Sequence, residues 1–357
     1  MTPELGTATV IQADARDLPI PTGSVDLVVT SPPYFALRSY KDAGAHYAGQ
    51  IGAETTPAAF VDALLEVTRE CVRVLKPTGS LWVNLGDKYA GSNGQAGGPS
   101  QLAGATYSPD GTRTKGAKRG GFVPQTTVRH KSLIGVPWRY ALACVDDLGL
   151  ILRAEVIWSK PNGLPESVTD RVRRSHETWF HFVTQPRYFS AVDEIREAYD
   201  PRTQARYDAG FTPEKRLLAG IVSTARDRGV LDGDGGPKQT NPLGKLPGSV
   251  WTVPTEPLIV PDNLGVDHFA AFPTEWPRRI IQGWSPTGAV VLDPFGGTGT
   301  TALVAKALGR HGITVDMSND YCRLAEWRTN DRNQLANVLD LPRITPQPDT
   351  QPTLFDV

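Results

Sequence analysis

Two stretches hold the residues whose types and spacing could do chemistry. In "VDLVVTSPPYFALRSY" (Val25–Tyr40), an apolar β-branched run, Val25–Val29, breaks straight into Thr30-Ser31-Pro32-Pro33-Tyr34. The run reads as a buried strand. Two adjacent prolines cannot extend its ladder, because they lack N–H donors. A core strand therefore ends in a stiff corner that carries a hydroxyl and an aromatic ring. The second stretch, "AVVLDPFGGTGTTALVAKALGRHGITVDMSNDYCRLAEWR" (Ala289–Arg328), reads as strand, Gly-rich turn, helix, strand, acidic residue, helix. Gly296, Gly297 and Gly299 permit a tight turn where backbone approaches a ligand, and a helix from about Thr298 offers free N–H groups at its start. Asp316 ends the second strand 23 residues after Asp293, where a carboxylate can accept from ribose hydroxyls. That is the logic of a nucleoside cofactor at the carboxyl end of a parallel sheet. A helix-capping turn would give the same glycines. The spacing G-x-G-x-x-G is absent and Asp-Pro-Phe precedes the glycines, which argues against a nicotinamide cofactor. Asp293 could instead carry an amino-acid ammonium, which adenosylmethionine has and a dinucleotide lacks.

Other residue types bear on metal and nucleic-acid chemistry. "HETWFH" (His176–His181) comes near H-E-x-x-H, but its second histidine is one residue late. In a strand the two would face opposite sides, so a core strand is expected and no metal site. Cys71, Cys144 and Cys322 are far apart in apolar contexts; buried, reduced thiols are expected. Gly111–Tyr140 contains no Asp or Glu but carries Arg113, Lys115, Lys118, Arg119, Arg129, Lys131 and Arg139. Such a run can be a solvated loop; its Gly-rich surroundings favour a basic arm that tracks phosphates. Arg171, Arg173 and Arg174 are candidates for phosphate contact, or for a solvated face.

The elements that must position these residues alternate along the chain. Strands are expected at Ala8–Gln12, Val25–Thr30, Ser80–Leu85, Ile151–Trp158, Glu177–Thr184, Ser249–Val253, Ala289–Leu292 and Gly312–Val315. Helices are expected at Pro57–Leu75, Val136–Leu148, Pro273–Trp284, Thr298–Leu308 and Asn319–Leu339. The first has a clear 3.6-residue apolar stripe through Phe60, Leu64, Val67, Cys71 and Val74, and "KPTG" (Lys76–Gly79) should stop it. This rhythm implies an α/β fold, a mostly parallel sheet with helices on both faces. Two segments stand outside it: Lys88–Lys131, and Asp200–Leu246 with one plausible helix at Pro213–Thr224. The Pro-rich tail is expected to be disordered. A chain of 357 residues, 39% hydrophobic and 21% charged, suffices for a large core. Its net charge of −1 argues against a protein basic all over. No apolar run of about 18 residues and no leader-like start are present, so a cytoplasmic location and no membrane partner are expected.

Here a resemblance becomes specific. "DPFGGTGTT" (Asp293–Thr301) resembles the S-adenosylmethionine motif of amino-group DNA methyltransferases, and "TSPPY" (Thr30–Tyr34) resembles their catalytic motif. The order, catalytic motif first, is that of the permuted β group. "IQADARDL", "SLWVNLGD", "VIWSKPNGLPESVTDRVRRSHETWFHFV" and "HFAAFPTEWPRRII" also match in order, and the resemblance covers most of residues 8–335. It implies a Rossmann-like methyltransferase fold with circularly permuted motifs. It implies cofactor contacts from Asp14 (at the adenine), Thr30, Asp293, Pro294, Phe295, Gly296, Gly297, Gly299, Thr300 and Asp316. It implies catalysis by Ser31, Pro32, Pro33 and Tyr34 on a base flipped from double-stranded DNA: a fixed carbonyl such as that of Pro32 accepts an amino hydrogen, Ser31 adds a hydroxyl, and Tyr34, with Phe35 beside it, offers a stacking face. Trp158 and Lys160 would lie near the base pocket or simply pack. Arg113, Lys115, Lys118, Arg119, Arg129, Lys131, Arg171 and Arg173 would contact DNA. The implied organisation is catalytic half 1–87, basic loop 88–131, remainder of the catalytic half 132–199, target-recognition insertion 200–246, cofactor half 247–340 and tail 341–357. In that family Ser at the first catalytic position most often accompanies N4-cytosine methylation, with N6-adenine the alternative; a C5 reaction would need a Pro-Cys nucleophile, which is absent. An RNA or protein-amide methyltransferase and a DNA-binding module without catalysis are the rival readings. A cognate restriction endonuclease is a possible partner, and the oligomeric state is left open.

Overall fold

The structure is a computed structural model. It describes residues 4–36, 49–90, 128–163, 165–202, 205, 241–266 and 271–341, with two short strands at 41–42 and 45–46. Eight strands form one sheet: β1 (Thr7–Gln12), β2 (Val25–Thr30), β5 (Leu75–Leu85), β6 (Ile151–Ser159), β7 (His176–Val183), β8 (Val250–Thr252), β9 (Val290–Asp293) and β10 (His311–Asp316). The short strands β3 (Lys41–Asp42) and β4 (Ala45–His46) pair as a separate hairpin. The sheet order is β1-β10-β9-β2-β5-β7-β6-β8. From β1 to β5 every pairing is parallel, β7 runs antiparallel to both of its neighbours, and β8 is parallel to β6.

The antiparallel setting of β7 matters for the site. Because β7 is reversed, its first residues lie at the same edge as the last residues of β2, β5 and β6. The register pairs Leu85 with Thr178 and Trp158 with Glu177.

Helix α1 (Pro57–Val74) has proline in its first turn, and the Thr56 hydroxyl caps it by accepting from the Ala59 N–H. It packs with α2 (Val136–Asp146) over Leu81, Val83, Phe180 and Phe182. The alternate side chains of the same two strands, Trp82, Trp179 and His181, lie against α3 (Glu275–Trp284) through Trp276 and Trp284. Trp82 stacks on His181 at 4.5 Å, and Trp276 stacks on Trp251 at 4.9 Å and Trp179 at 5.1 Å. Burial pushes His181 down to about 3, so it is a neutral core residue, while His176 is exposed. All three cysteines are free and buried, and burial pushes the Cys144 thiol up to about 12.

Three expectations need correction. The segment Asn319–Leu339 is two helices, α5 (Asn319–Asn330) and α6 (Arg332–Val338): Asp331 is extended, ends α5, and caps α6 by accepting from the Gln334 N–H at 2.8 Å. The helix expected from Thr298 is α4 (Thr300–Ala307), because Gly299 stands before it at φ +73°. "KPTG" does not separate helix from strand: β5 starts at Leu75, and the extra length is taken up as an irregularity between Val25 and Leu27. The helix expected at Pro213–Thr224 lies outside the described residues.

By compactness the chain divides into 1–190 with 249–357, and 191–248. The first unit contains the whole sheet. The second, expected as a recognition insertion at 200–246, includes among its described residues a 3₁₀ turn at Val192–Ile195 and a Glu197–Lys245 bridge closed by an ion pair at 3.3 Å. Residues 203–204 and 206–240 of it are outside the described part, as is the tail from 342.

Candidate active site

Every singled-out residue of the two motifs lies along one edge of the sheet, in strand order. Asp14 follows β1, Asp316 ends β10, Asp293 ends β9, Thr30 ends β2, and Asn84 lies one residue from the end of β5. The chain winds away from the boundary between β9 and β2 in opposite directions, which opens a crevice at the carboxyl ends there. The two motifs meet at that boundary. The Thr30 hydroxyl donates to Asp293 Oδ1 at 2.7 Å, the Phe295 N–H donates to the same oxygen at 3.1 Å, and the Thr301 hydroxyl donates to Oδ2 at 2.9 Å. Asp293 is 1% exposed, and burial raises its carboxyl to about 6 against these stabilising bonds. Its expected role as the ammonium holder therefore changes: its oxygens lock the corner to the glycine turn. Thr300 is likewise buried, its hydroxyl accepting from Arg328 at 2.7 Å.

The crevice is a cleft with about 820 Å³ of non-protein space, part of it open to solvent. Asp14, Ser31, Pro33, Phe295, Gly297 and Asp316 are on its wall, joined by Pro294 and Thr298. Asp316 Oδ2 accepts from the Gly297 N–H at 2.9 Å and Oδ1 from the Ser318 N–H at 2.9 Å. A carboxylate oxygen can accept more than one donor, so these bonds fix the group without excluding a ligand hydroxyl. A Cβ at Gly296 would collide with the Thr314 side chain, so the turn can press onto β10 only with glycine there. The Arg16 guanidinium forks onto Asp14, at 2.6 Å for Nη2 to Oδ2, and holds its carboxyl below the usual range. Arg16 also donates to the Gly49 carbonyl at 3.3 Å, tying down the strap that brings Gln50 and Ile51 to the cleft.

The corner itself divides by depth. Ser31 and Pro33 face the cleft; Pro32 is buried, bordering a small void with Leu64, Val67 and Cys71. Phe35 does not stand beside Tyr34 as a stacking face: it is 2% exposed, with its ring 5.5 Å from Phe60. Tyr34 is half-buried, its Oη 2.6 Å from Asn84 Oδ1 and 2.6 Å from Glu177 Oε2. The Ser31 hydroxyl donates to Asn84 Oδ1 at 3.1 Å.

This arrangement can seat a nucleoside against the glycine turn and a planar amine against the corner. The sequence model of the family described as "DNA methylase" matches residues 25–327. The chain belongs to the N4-cytosine/N6-adenine DNA amino-methyltransferase family. The type II methyltransferase M.Cfr9I of Citrobacter freundii is 32% identical over 326 residues, covering 90% of this chain and 87% of its own. M.XycI of Xanthomonas campestris pv. cyanopsidis is 33% identical over 336 residues, covering 93% and 90%. Among solved structures, the PvuII DNA methyltransferase (cytosine-N4-specific) aligns with a TM-score of 0.58 over 95% of this chain and 93% of its own. At 19% identity that likeness shows the shared fold. A Thermus thermophilus protein complexed with S-adenosyl-L-methionine aligns with a TM-score of 0.50 at 23% identity, covering 93% and 94%. The methyl donor of this family is S-adenosylmethionine.

The basic residues of the methyltransferase fall into two sets. Arg113, Lys115, Lys118 and Arg119 lie outside the described residues. Of the rest, Arg129 is exposed, and Lys131 is exposed and paired with Asp170 at 2.6 Å. Arg171 is committed inside the fold: it donates to Glu166 at 2.6 Å and lies 3.9 Å above the Tyr89 ring. Arg173 donates to the Gly163 carbonyl at 2.7 Å. Among the described residues, no helix is long and apolar enough to cross a membrane.

Sequence reasoning passed over Asn84, Gly86 and Glu177, although all three lie in quoted motif segments. Their partner, Tyr34, is 50 residues from Asn84 and 143 from Glu177. Nothing local in the sequence links them.

Proposed function

We propose that this chain transfers a methyl group from S-adenosylmethionine to the exocyclic amine of a base flipped out of duplex DNA, at N4 of cytosine. The observation that carries the reading is the shared wall: Ser31 and Pro33 of the corner line the same cleft as Phe295, Gly297 and Asp316 of the glycine turn. A nucleoside on the turn and a base at the corner would face one another across that cleft.

An aromatic amine is a poor nucleophile because its lone pair is delocalised into the ring. Transfer needs the nitrogen turned toward tetrahedral geometry with its lone pair in line with the methyl group. Inside a duplex a base cannot present itself that way. Bound S-adenosylmethionine supplies an electrophilic methyl on a sulfonium. The chain supplies position. Asp316 offers carboxylate oxygens to the ribose hydroxyls, and Asp14 a carboxylate to the adenine amine. The rigid Pro32-Pro33 backbone holds a carbonyl as acceptor for one amino hydrogen. The Ser31 hydroxyl, its own hydrogen on Asn84, retains lone pairs for the other. Tyr34 offers the stacking face, and a base so held approaches the reactive geometry before the barrier is crossed.

The choice of cytosine rests on the neutral pair at the corner, Ser31 with Asn84, where the family's adenine enzymes most often carry Asp or Asn at the position of Ser31. Duplex DNA is the macromolecular partner. The test is incubation with methyl-labelled S-adenosylmethionine and duplex DNA, followed by nucleoside analysis. N4-methylcytosine is expected. N6-methyladenine would overturn the base assignment, and label in RNA or peptide but not DNA would overturn the substrate.

A further inference from the structure

Outside the cleft lining, against Tyr34, lies a charged pair that the transfer reaction does not explain. Glu177 at the start of β7 accepts from Lys160, just past the end of β6, with Nζ 2.5 Å from Oε1. Both side chains are about four-fifths buried, at 20% and 18% exposure. Lys160 Nζ also lies 4.0 Å above the Trp158 ring. The other carboxylate oxygen, Oε2, is 2.6 Å from Tyr34 Oη. Four neighbouring strands thus contribute to one polar chain in spatial order: Tyr34 after β2, Asn84 on β5, Glu177 on β7 and Lys160 after β6.

A pair this buried is weak support for stability, since desolvation offsets most of its attraction and an apolar pair of equal volume serves as well. Its geometry points to orientation instead. The single hydroxyl hydrogen of Tyr34 faces two acceptor oxygens, both at 2.6 Å. A carboxylate is a stronger acceptor than an amide oxygen, and this one is also paired with Lys160. The ring also lies close against Gly86, where a Cβ would collide with Cδ2 and Cε2 of Tyr34. The ring is therefore held at its tip by charge and along its edge by bare backbone.

We propose that Glu177 and Lys160 are positioning residues that fix the ring plane of Tyr34 and so set how the target base is held. The proposal rests on the reading of Tyr34 as the base platform. It explains why a charged pair is kept at the edge of an aromatic core, and why it is joined to the corner through the phenol.

The test uses full-length Glu177→Leu, Glu177→Gln, Lys160→Met and Tyr34→Phe, and the double variant Tyr34→Phe/Glu177→Leu. Loss of one charge-assisted bond predicts a fall in kcat of about 10- to 100-fold in Glu177→Leu and in Tyr34→Phe alike. The calorimetric Kd for S-adenosylmethionine should stay within about twofold of wild type, which also reports folding. Glu177→Gln, which keeps an acceptor, should recover most of the rate, and the double variant should be no slower than either single one. Independently of turnover, 4-¹³C-tyrosine labelling gives a Tyr34 resonance, assigned by its loss in Tyr34→Phe. It should shift in Glu177→Leu and Lys160→Met while the other tyrosines stay in place. A merely structural pair would leave kcat of Glu177→Leu at the wild-type value or give additive losses in the double variant, and either result, or a resonance that does not move, overturns the proposal. Wild-type protein that modifies no DNA amine would instead strike at the reading of the reaction, while the resonance still judges the link between Tyr34 and the pair.

Discussion

Asp293 holds three donors and almost no water. Its carboxyl is raised from 3.8 to about 6 because burial penalises the charge more than the Thr30, Thr301 and Phe295 bonds repay. Between those two values the folded chain keeps a proton that the unfolded chain has lost. Stability from this group is therefore full below pH 4, falls as pH rises to about 6, and is level above it. The span amounts to at most ~3 kcal/mol. Asp293→Asn removes the titration and keeps an acceptor for Thr30 and the Phe295 N–H, and the Thr301 hydroxyl can turn to accept from the amide. Melting temperatures of the two proteins from pH 4 to 7 should show the variant gaining on wild type as pH rises to 6, then a constant difference. A pH-independent difference would mean that Asp293 is not the buried, proton-binding lock described. The lock also bears on Asp293→Ala. With three donors left unmet between corner and glycine turn, that change should weaken cofactor binding and turnover together.

At the scale of elements, α4 is held at its first turn from α5 by a buried cation. Arg328 Nη1 donates to Thr298 Oγ1 at 2.8 Å and Thr300 Oγ1 at 2.7 Å, and among the described residues no carboxylate forms an ion pair with it. Burial lowers it to about 10, and it lies at the end of α4 where the helix dipole is also positive. Such a charge is costly to bury. Arg328→Met, similar in reach and apolar, should leave thermal stability within about 1 kcal/mol of wild type or raise it. It should also raise the Kd for S-adenosylmethionine about tenfold, because Thr298 on the cleft wall loses its anchor. Calorimetry and thermal melts on the same samples check both halves; a large drop in melting temperature with unchanged Kd would contradict the assignment. Arg328 was not legible in the sequence, since nothing in its helix periodicity marks a buried charge. The strands and the proline corner were legible, because apolar β-branched runs and paired prolines act locally. The break at Asp331 was legible in principle: Asp331 and Gln334 form a capping signature inside an apolar pattern that otherwise runs on. Glu177 was hidden for a different reason: its meeting with Tyr34 depends on β7 running antiparallel, and register is a long-range property.

For the whole molecule the question is how a chain of net charge −1 holds a polyanion. The described cations near the site are largely committed: Arg171 to Glu166, Lys131 to Asp170, Lys160 to Glu177. Their charge is neutralised within the protein and adds little to phosphate binding. The sequence holds one long one-signed run, Gly111–Tyr140, which carries no Asp or Glu and includes Arg113, Lys115, Lys118 and Arg119. Each phosphate neutralised by a lysine or arginine releases condensed counterion and adds about 0.9 to the slope of log K against log salt. Replacing Arg113, Lys115, Lys118 and Arg119 by serine should therefore weaken duplex binding at low salt and flatten that slope by about 3 to 4 if all four meet phosphates. The loss should be similar on any DNA sequence, because phosphate contacts position without reading bases. Cofactor affinity should not move if the four residues act on phosphates alone. Fluorescence anisotropy with a labelled duplex across a salt series measures the slope directly. An unchanged slope would return the segment to the status of a solvated loop.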